Sequence, residues 1–153
     1  MTKRTLVIYS FIFCVVVALD RITKAWALAF LDVEHRFNKY LSFDLALNRG
    51  ISWSMLHTEN DARFMLLTAV ILGAVVLLAA YTYHRYQETT FILGEVFVLA
   101  GALSNVVDRF IYRGVIDFIV VSAYDFVWPT FNLADASIVA GVFIMLISVY
   151  RKT

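Results

Sequence analysis

Charged side chains are scarce in this chain: 16% of its 153 residues, against roughly a quarter in an ordinary soluble domain. The 12 acidic and 13 basic residues leave a formal net charge of +1, so there is no basic field to attract nucleic acid. Proline occurs once and glycine six times, which leaves little room for a disordered tail or a long flexible linker, and residues 1–153 read as one domain. The single cysteine, Cys14, has no partner for an internal disulfide. It follows the bulky Phe11, Ile12 and Phe13, so it does not fit a lipid-modified cysteine, which needs small residues before it. His35, His57 and His84 are scattered and give no zinc spacing. A phosphate-binding glycine loop and a Ser–His–Asp or Ser–Lys pattern are missing as well, so no metal or other cofactor is expected.

Apolar residues fill the space left by charge. They make up 61% of the chain, and mean hydropathy is +0.77. A chain this short cannot bury so much apolar surface in one compact core, because small domains leave a large share of their area exposed. Lipid is therefore the expected solvent. Crossing about 30 Å of hydrocarbon takes roughly 20 helical residues. Four stretches qualify: about 6–31, 64–83, 90–111 and 131–150. The expected fold is an all-α membrane protein of four transmembrane helices. Lys3 and Arg4 before an apolar run also suit a cleaved signal peptide, but Asp20, Arg21 and Lys24 would crowd the cleavage region, so the first stretch reads as a retained helix.

Loop charge sets the orientation. Lys3, Arg4, Arg85, Arg151 and Lys152 fall on one side with only Glu88 opposing them, and by the positive-inside rule that side is cytoplasmic, with both termini. Two long segments, Asp32–Arg63 and Tyr112–Thr130, then lie outside. In the first, Leu41, Phe43, Leu45 and Leu47 alternate with Ser42, Asp44, Ala46 and Asn48, the period of a half-buried strand. Asn48-Arg49-Gly50 supplies turn chemistry, and Ile51, Trp53 and Met55 resume the alternation. Val115–Val121 is a second, shorter strand candidate. Together they suggest a small extracytoplasmic β-sheet platform on the membrane, with Trp26, Trp53 and Trp128 suited to an interfacial belt.

The polar residues within this frame converge. Asp20, Lys24, Asn105, Asp108, Arg109, Asp117, Asn132 and Asp135 all fall at outer helix ends or just beyond. A carboxylate at mid-membrane costs on the order of 3 kcal/mol, and even at a helix end a whole cluster needs a reason. Asp20 and Lys24, and Asn105 and Arg109, are four apart and share a helical face; Asn132 and Asp135 are three apart. Gly101 lies one turn before Asn105 and permits close helix approach, as Ser137 and Gly141 do on the last helix. Gly114 offers a turn to aim Asp117 back at the bundle. Two carboxylates that cannot both ionise share a proton, and such a pair activates water on one side and protonates a leaving amide on the other. Glu95 lies near the inner end of its helix, remote from this cluster, and reads as a paired or snorkelling carboxylate. Two rival readings are a small proton-coupled transporter using Glu95 or Asp20, and a non-catalytic scaffold. The long polar outer segments suit a peptide-handling enzyme better than either.

The chain resembles the lipoprotein signal peptidases (signal peptidase II) over some 115 residues. The likeness rests on Asp20-x-x-Thr23-Lys24, Asn48-Arg49-Gly50, Gly101 to Arg109, Gly114-Val115-Ile116-Asp117-Phe118 and Phe131-Asn132-Leu133-Ala134-Asp135. That resemblance implies an aspartic endopeptidase of the bacterial inner membrane, acting on its periplasmic side. It would remove signal peptides from prolipoproteins before a diacylglyceryl-modified cysteine, as a monomer among membrane lipids. Its catalytic aspartates fall on Asp117 and Asp135; supporting positions are Asp20, Lys24, Asn48, Gly50, Asn105, Asp108, Arg109 and Asn132. Two departures from the family pattern are Ser104, where glycine is usual and a close helix contact is at stake, and Trp53, where phenylalanine is common.

Overall fold

A computed structural model describes residues 3–51, 55–88, 90–124 and 126–150. Four helices, α1 (Lys3–Phe30), α2 (Asp61–Gln87), α3 (Leu93–Tyr112) and α4 (Leu133–Tyr150), carry a small sheet of β1 (His35–Arg36), β2 (Leu41–Asn48), β3 (Val115–Ala123) and β4 (Phe126–Val127). The sheet is an antiparallel meander in the order β1-β2-β3-β4. α1 runs unbroken through Asp20, Arg21 and Lys24. α1 and α2 are long and apolar enough to cross a membrane, and α4 contains a shorter apolar stretch, Leu133–Ser148.

Polarity is reversed relative to a water-soluble bundle. Among the described residues the buried set holds twelve polar or charged residues against eleven apolar ones. Leu6, Phe11, Val70, Leu77, Phe143 and Leu146 meanwhile point outward. An interior this polar, wrapped in an apolar exterior, is the arrangement lipid imposes.

α3 is the central helix, packed against α1, α2 and α4. Its approach to α4 is backbone to backbone. A Cβ at Gly141 would lie 2.6 Å from the Gly94 carbonyl oxygen, and one at Gly101 would lie 2.4 Å from the Ala134 carbonyl oxygen. Ser137 closes the same seam by donating to the Phe97 carbonyl at 2.9 Å. Ala134 immediately precedes Asp135, so alanine at position 101 must displace the first turn of α4. Gly101→Ala is therefore expected to lower the rate of any reaction in which Asp135 takes part about a hundredfold, the usual effect of ångström-scale misplacement, with helix content by circular dichroism unchanged. An unaffected rate would show that this contact does not position the site.

The outer segments differ from the alternation pattern in three ways. β3 extends to Ala123 and is the longest strand, and two further strands, β1 and β4, span only two residues each. The alternation expected at Ile51, Trp53 and Met55 falls partly outside the described residues, which leave out Trp53; Ile51 and Met55 lie in no strand and are joined by a 2.8 Å backbone hydrogen bond. Finally, β2 is not a regular strand. Its register against β3 runs Phe43 with Ile119, then Ala46 with Asp117 and Asn48 with Val115, so one extra residue is accommodated between Phe43 and Ala46. Unbroken pairing from Phe43 would set Leu45 opposite Asp117. Because strand side chains alternate faces, the bulge puts Asn48, rather than Leu47, on the face it shares with Asp117. The turn from α3 into β3 is made by Arg113, at φ 58°, and not by Gly114. Gly114 instead makes room for Leu47, whose side chain would lie 2.7 Å from an added Cβ.

Candidate active site

Asp117 sits on β3 and is 2% exposed. Its Oδ1 accepts from the Asn132 amide at 2.7 Å and its Oδ2 from the Asn48 amide at 3.0 Å. Asp135 lies in the first turn of α4. Its Oδ1 accepts from the Asn105 amide at 2.8 Å, and its Oδ2 from the Asn132 backbone N–H at 3.2 Å. The Asn132 Oδ1 in turn accepts from the Asp135 backbone N–H at 2.9 Å, making a reciprocal capping box at the start of α4. Asn132 thus touches both carboxylates, one through its side chain and one through its backbone. Burial, and after it the negative charge of Asp135, push the Asp117 carboxyl up to about 7; the amides of Asn48 and Asn132 and the charge of Lys24 pull the other way.

One amide on each carboxylate, Asn48 on Asp117 and Asn105 on Asp135, has an assigned direction. The Asn48 Oδ1 is occupied by the Gly50 N–H at 2.8 Å, so its NH2 faces the carboxylate. The Asn105 Oδ1 accepts from the Lys24 ammonium at 2.8 Å, so its NH2 faces Asp135. Lys24 in turn belongs to a charge-balanced cluster beneath the carboxylates. It pairs with Asp20 at 2.8 Å and Asp108 at 2.7 Å, while Arg21 pairs with Asp108 at 2.6 Å and Asp20 at 3.3 Å. Asp20 also accepts from the Ala134 N–H at 2.9 Å and the Ser104 hydroxyl at 2.6 Å, and Asp108 accepts from the Ile116 N–H at 3.3 Å. These bonds tie α1 and α3 to the residues immediately before Asp135 and Asp117.

Seven of the eight polar residues singled out at helix ends therefore meet, in two layers, and the eighth, Arg109, lies beside them at the cavity. Asp117, Asp135, Asn105 and Asn132, with Asn48, form the upper one, and Asp20, Lys24 and Asp108 the lower. Arg109 is 4% exposed, donates from Nη2 to the Gly50 carbonyl, and keeps a buried Nη1 with no hydrogen-bond partner. It is not a residue reaching to the interface. Sequence spacing missed Arg21, taken only as an interruption of the first helix, and Ser104, taken as a steric departure. The serine hydroxyl adds a buried hydrogen bond to Asp20. Glu95 stands apart, 1% exposed and paired with Arg85. Among the described residues no group of histidine, cysteine, aspartate and glutamate could hold a metal ion.

The upper layer opens on a cavity of about 590 Å³. Asn48, Asn105, Arg109, Asp117 and Asp135 form its polar end, while Ile71 of α2, Ile138 and Val139 of α4, and Trp128 and Phe131 form apolar walls. A buried and a half-buried carboxylate at the head of an apolar chamber can do acid–base chemistry on a guest that is itself mostly apolar.

Comparison with known proteins points the same way. The family model described as Signal peptidase (SPase) II matches residues 12–151. The lipoprotein signal peptidase of Nitrobacter hamburgensis is 35% identical over 142 residues, covering 88% of this chain and 86% of its own. That of Listeria welshimeri is 30% identical over 153 residues, covering 95% and 96%. A solved structure described as a bacterial membrane enzyme, determined by the in meso method at 2.3 Å, superposes with a TM-score of 0.73 at 26% identity, covering 94% of this chain and 87% of that one. The chain belongs to the signal peptidase II family, the bacterial membrane peptidases that remove signal peptides from prolipoproteins.

Proposed function

We propose that Asp117 and Asp135 are the catalytic pair of this peptidase and that they cleave a prolipoprotein before its diacylglyceryl-modified cysteine. The observation that carries the reading is that two carboxylates, Asp117 buried and Asp135 half-buried, both held by Asn132, open on one largely apolar cavity. The pair shares one proton in this scheme. The ionised member takes a proton from water as that water attacks the carbonyl before the cysteine, and the protonated member gives its proton to the leaving nitrogen. With its carboxyl near 7, Asp117 is the proton donor in this scheme. Asn48, Asn105 and Asn132 orient the two carboxyls, Gly50 and Arg109 shape the polar end of the cavity, and Asp20, Lys24 and Asp108 brace it from below. No cofactor takes part.

All four helices span the inner membrane in this reading, with Lys3, Arg4 and Arg85 on the cytoplasmic side together with both termini. The sheet and the carboxylate pair face the periplasm, where lipid-modified precursors present their cleavage site. One chain forms the complete site, so the enzyme works as a monomer and as a single domain over residues 1–153. Its partners are the precursor and the surrounding lipid.

The decisive assay is cleavage of a diacylglyceryl-modified prolipoprotein, and of its unmodified form, by the purified protein, read by mass spectrometry. Release of the signal peptide from the modified form alone is expected; equal cleavage of both forms, or of neither, overturns the reading. The proton on Asp117 also sets a pH dependence. Raising the pH through about 7 removes the donated proton, so the rate should fall on the alkaline side with an apparent pKa near 7. A rate that stays level from pH 6 to pH 9 would contradict the assignment of Asp117 as donor.

A further inference from the structure

Asn48, Arg49 and Gly50 are consecutive, yet each is held by a different element. Asn48 donates to Asp117 on β3 at 3.0 Å, and the Gly50 carbonyl accepts from Arg109 on α3. The Arg49 guanidinium lies over the ring of Phe64, in the first turn of α2, at 4.9 Å from its centroid. The Arg109 guanidinium lies over the same ring at 5.5 Å. Phe64 itself is fully buried.

Two like charges on one aromatic ring are not a stabilising default. A ring attracts each cation, but the cations repel each other. Arg49 Nε and Arg109 Nη1 are, in addition, buried without hydrogen-bond partners, which carries a desolvation cost. Arg49 also pairs with Asp61 at 2.5 Å, but that carboxylate is 79% exposed, and exposed pairs contribute little. An arrangement that costs stability, built against the residues that orient a reacting group, has the character of a functional constraint.

We propose that Phe64, gripped by Arg49 and Arg109, is a positioning residue that holds the Asn48 amide on Asp117. The proposal rests on the reading of Asp117 as one of the catalytic pair. The ring fixes the guanidinium that follows Asn48 in the chain, and Arg109 fixes the carbonyl of Gly50, whose N–H occupies the Asn48 Oδ1. With both neighbours pinned, the Asn48 carboxamide has one orientation left, NH2 toward Asp117. Neither Arg49 nor Phe64 touches the carboxylates; they act through Asn48.

Asp117 is faced by Asp135 from α4, Lys24 from α1 and Arg109 from α3, besides Asn48 and Asn132. Of these, only Asn48 hangs on the Phe64 contact with Arg49, so Arg49→Met removes one hydrogen bond from the ionised Asp117 and leaves the charges around it in place, whereas Phe64→Leu also loosens Arg109. The test is a pH–rate profile with separate kcat and KM for wild type, Arg49→Met, Arg49→Lys and Phe64→Leu, with Asp117→Asn alongside. Arg49→Met and Phe64→Leu are expected to lower kcat about tenfold, to leave KM within about twofold and to move the alkaline limb upward by about half a pH unit to one unit, as a lost hydrogen bond to a carboxylate should. Arg49→Lys keeps a cation for the ring and should recover most of the rate. Arg49→Met changes a surface-linked side chain, so it decides the matter even if Phe64→Leu fails to fold. An unmoved alkaline limb in Arg49→Met, with or without a loss of rate, overturns the proposal. If Asp117→Asn retains activity, the catalytic reading itself falls; if it is inactive while Arg49→Met behaves as wild type, only the positioning role does.

Discussion

Asparagine at either Asp117 or Asp135 should reduce cleavage of a lipid-modified prolipoprotein by about 10⁴-fold, at the upper end of what positioned acid–base groups contribute. The substitution keeps shape and removes the exchangeable proton. Neither change should unfold the protein. Asp117 is a buried carboxyl already pushed toward neutrality by its surroundings, so a neutral side chain suits the site, although its NH2 must meet one of the amides that Asn48 and Asn132 present. At position 135 the capping bond from the Asn132 N–H can be kept by the amide oxygen, and the Asn105 amide then faces an NH2, a cost of about 1–3 kcal/mol. Cleavage read by mass spectrometry, next to thermal unfolding of the same preparations, separates chemistry from folding. Substantial turnover by either variant would take that residue out of the mechanism.

The second large effect is on stability. Asp108 is fully buried and neutralises both Lys24, at 2.7 Å, and Arg21, at 2.6 Å. Asp108→Ala leaves two cations to one carboxylate, with Lys24 only 1% exposed. Breaking a buried pair from one side costs about 3–5 kcal/mol, because the remaining charge cannot be rehydrated. A fall in thermal midpoint of roughly 10 °C is the corresponding shift. Replacing Lys24 and Asp108 together by apolar residues should cost less than Asp108→Ala alone, since no orphan charge remains. Activity should not return with stability in that double variant, because the Asn105 amide loses the ammonium that turns it toward Asp135. A double variant less stable than Asp108→Ala would mean that the cluster acts through its geometry and not its charge balance.

Much of this site can be read from the chain alone, for a physical reason. In a lipid-solvated bundle, polar residues are costly enough that their positions along apolar helices are informative, and Asp20, Lys24, Asn105, Asp108 and Asp135 stand out against their surroundings. Helix spacing then predicts faces, which is why the Asp20–Lys24 pair was visible. What escaped was set by tertiary contact. Arg21 is one residue from Asp20 and belongs to another helical face by spacing, yet its long side chain reaches Asp108 on α3. Ser104 looked like a missing glycine until its hydroxyl was found on Asp20. β1 and β4 are too short to carry a period. The contact of Arg49 with Phe64 escaped too, because Phe64 looks like one more apolar residue at the start of an apolar helix.

Phe43 and Asn48 are separated by a length of chain that behaves as a counted quantity. With five steps along one strand and four along its neighbour, parity decides whether an amide or a leucine looks down on the acid. Asp44 and Leu45, both exposed, are free to vary in chemistry, but the number of residues is not. Relatives that share this enzyme's chemistry are thus held to a fixed tally of residues here, even where no single letter repeats.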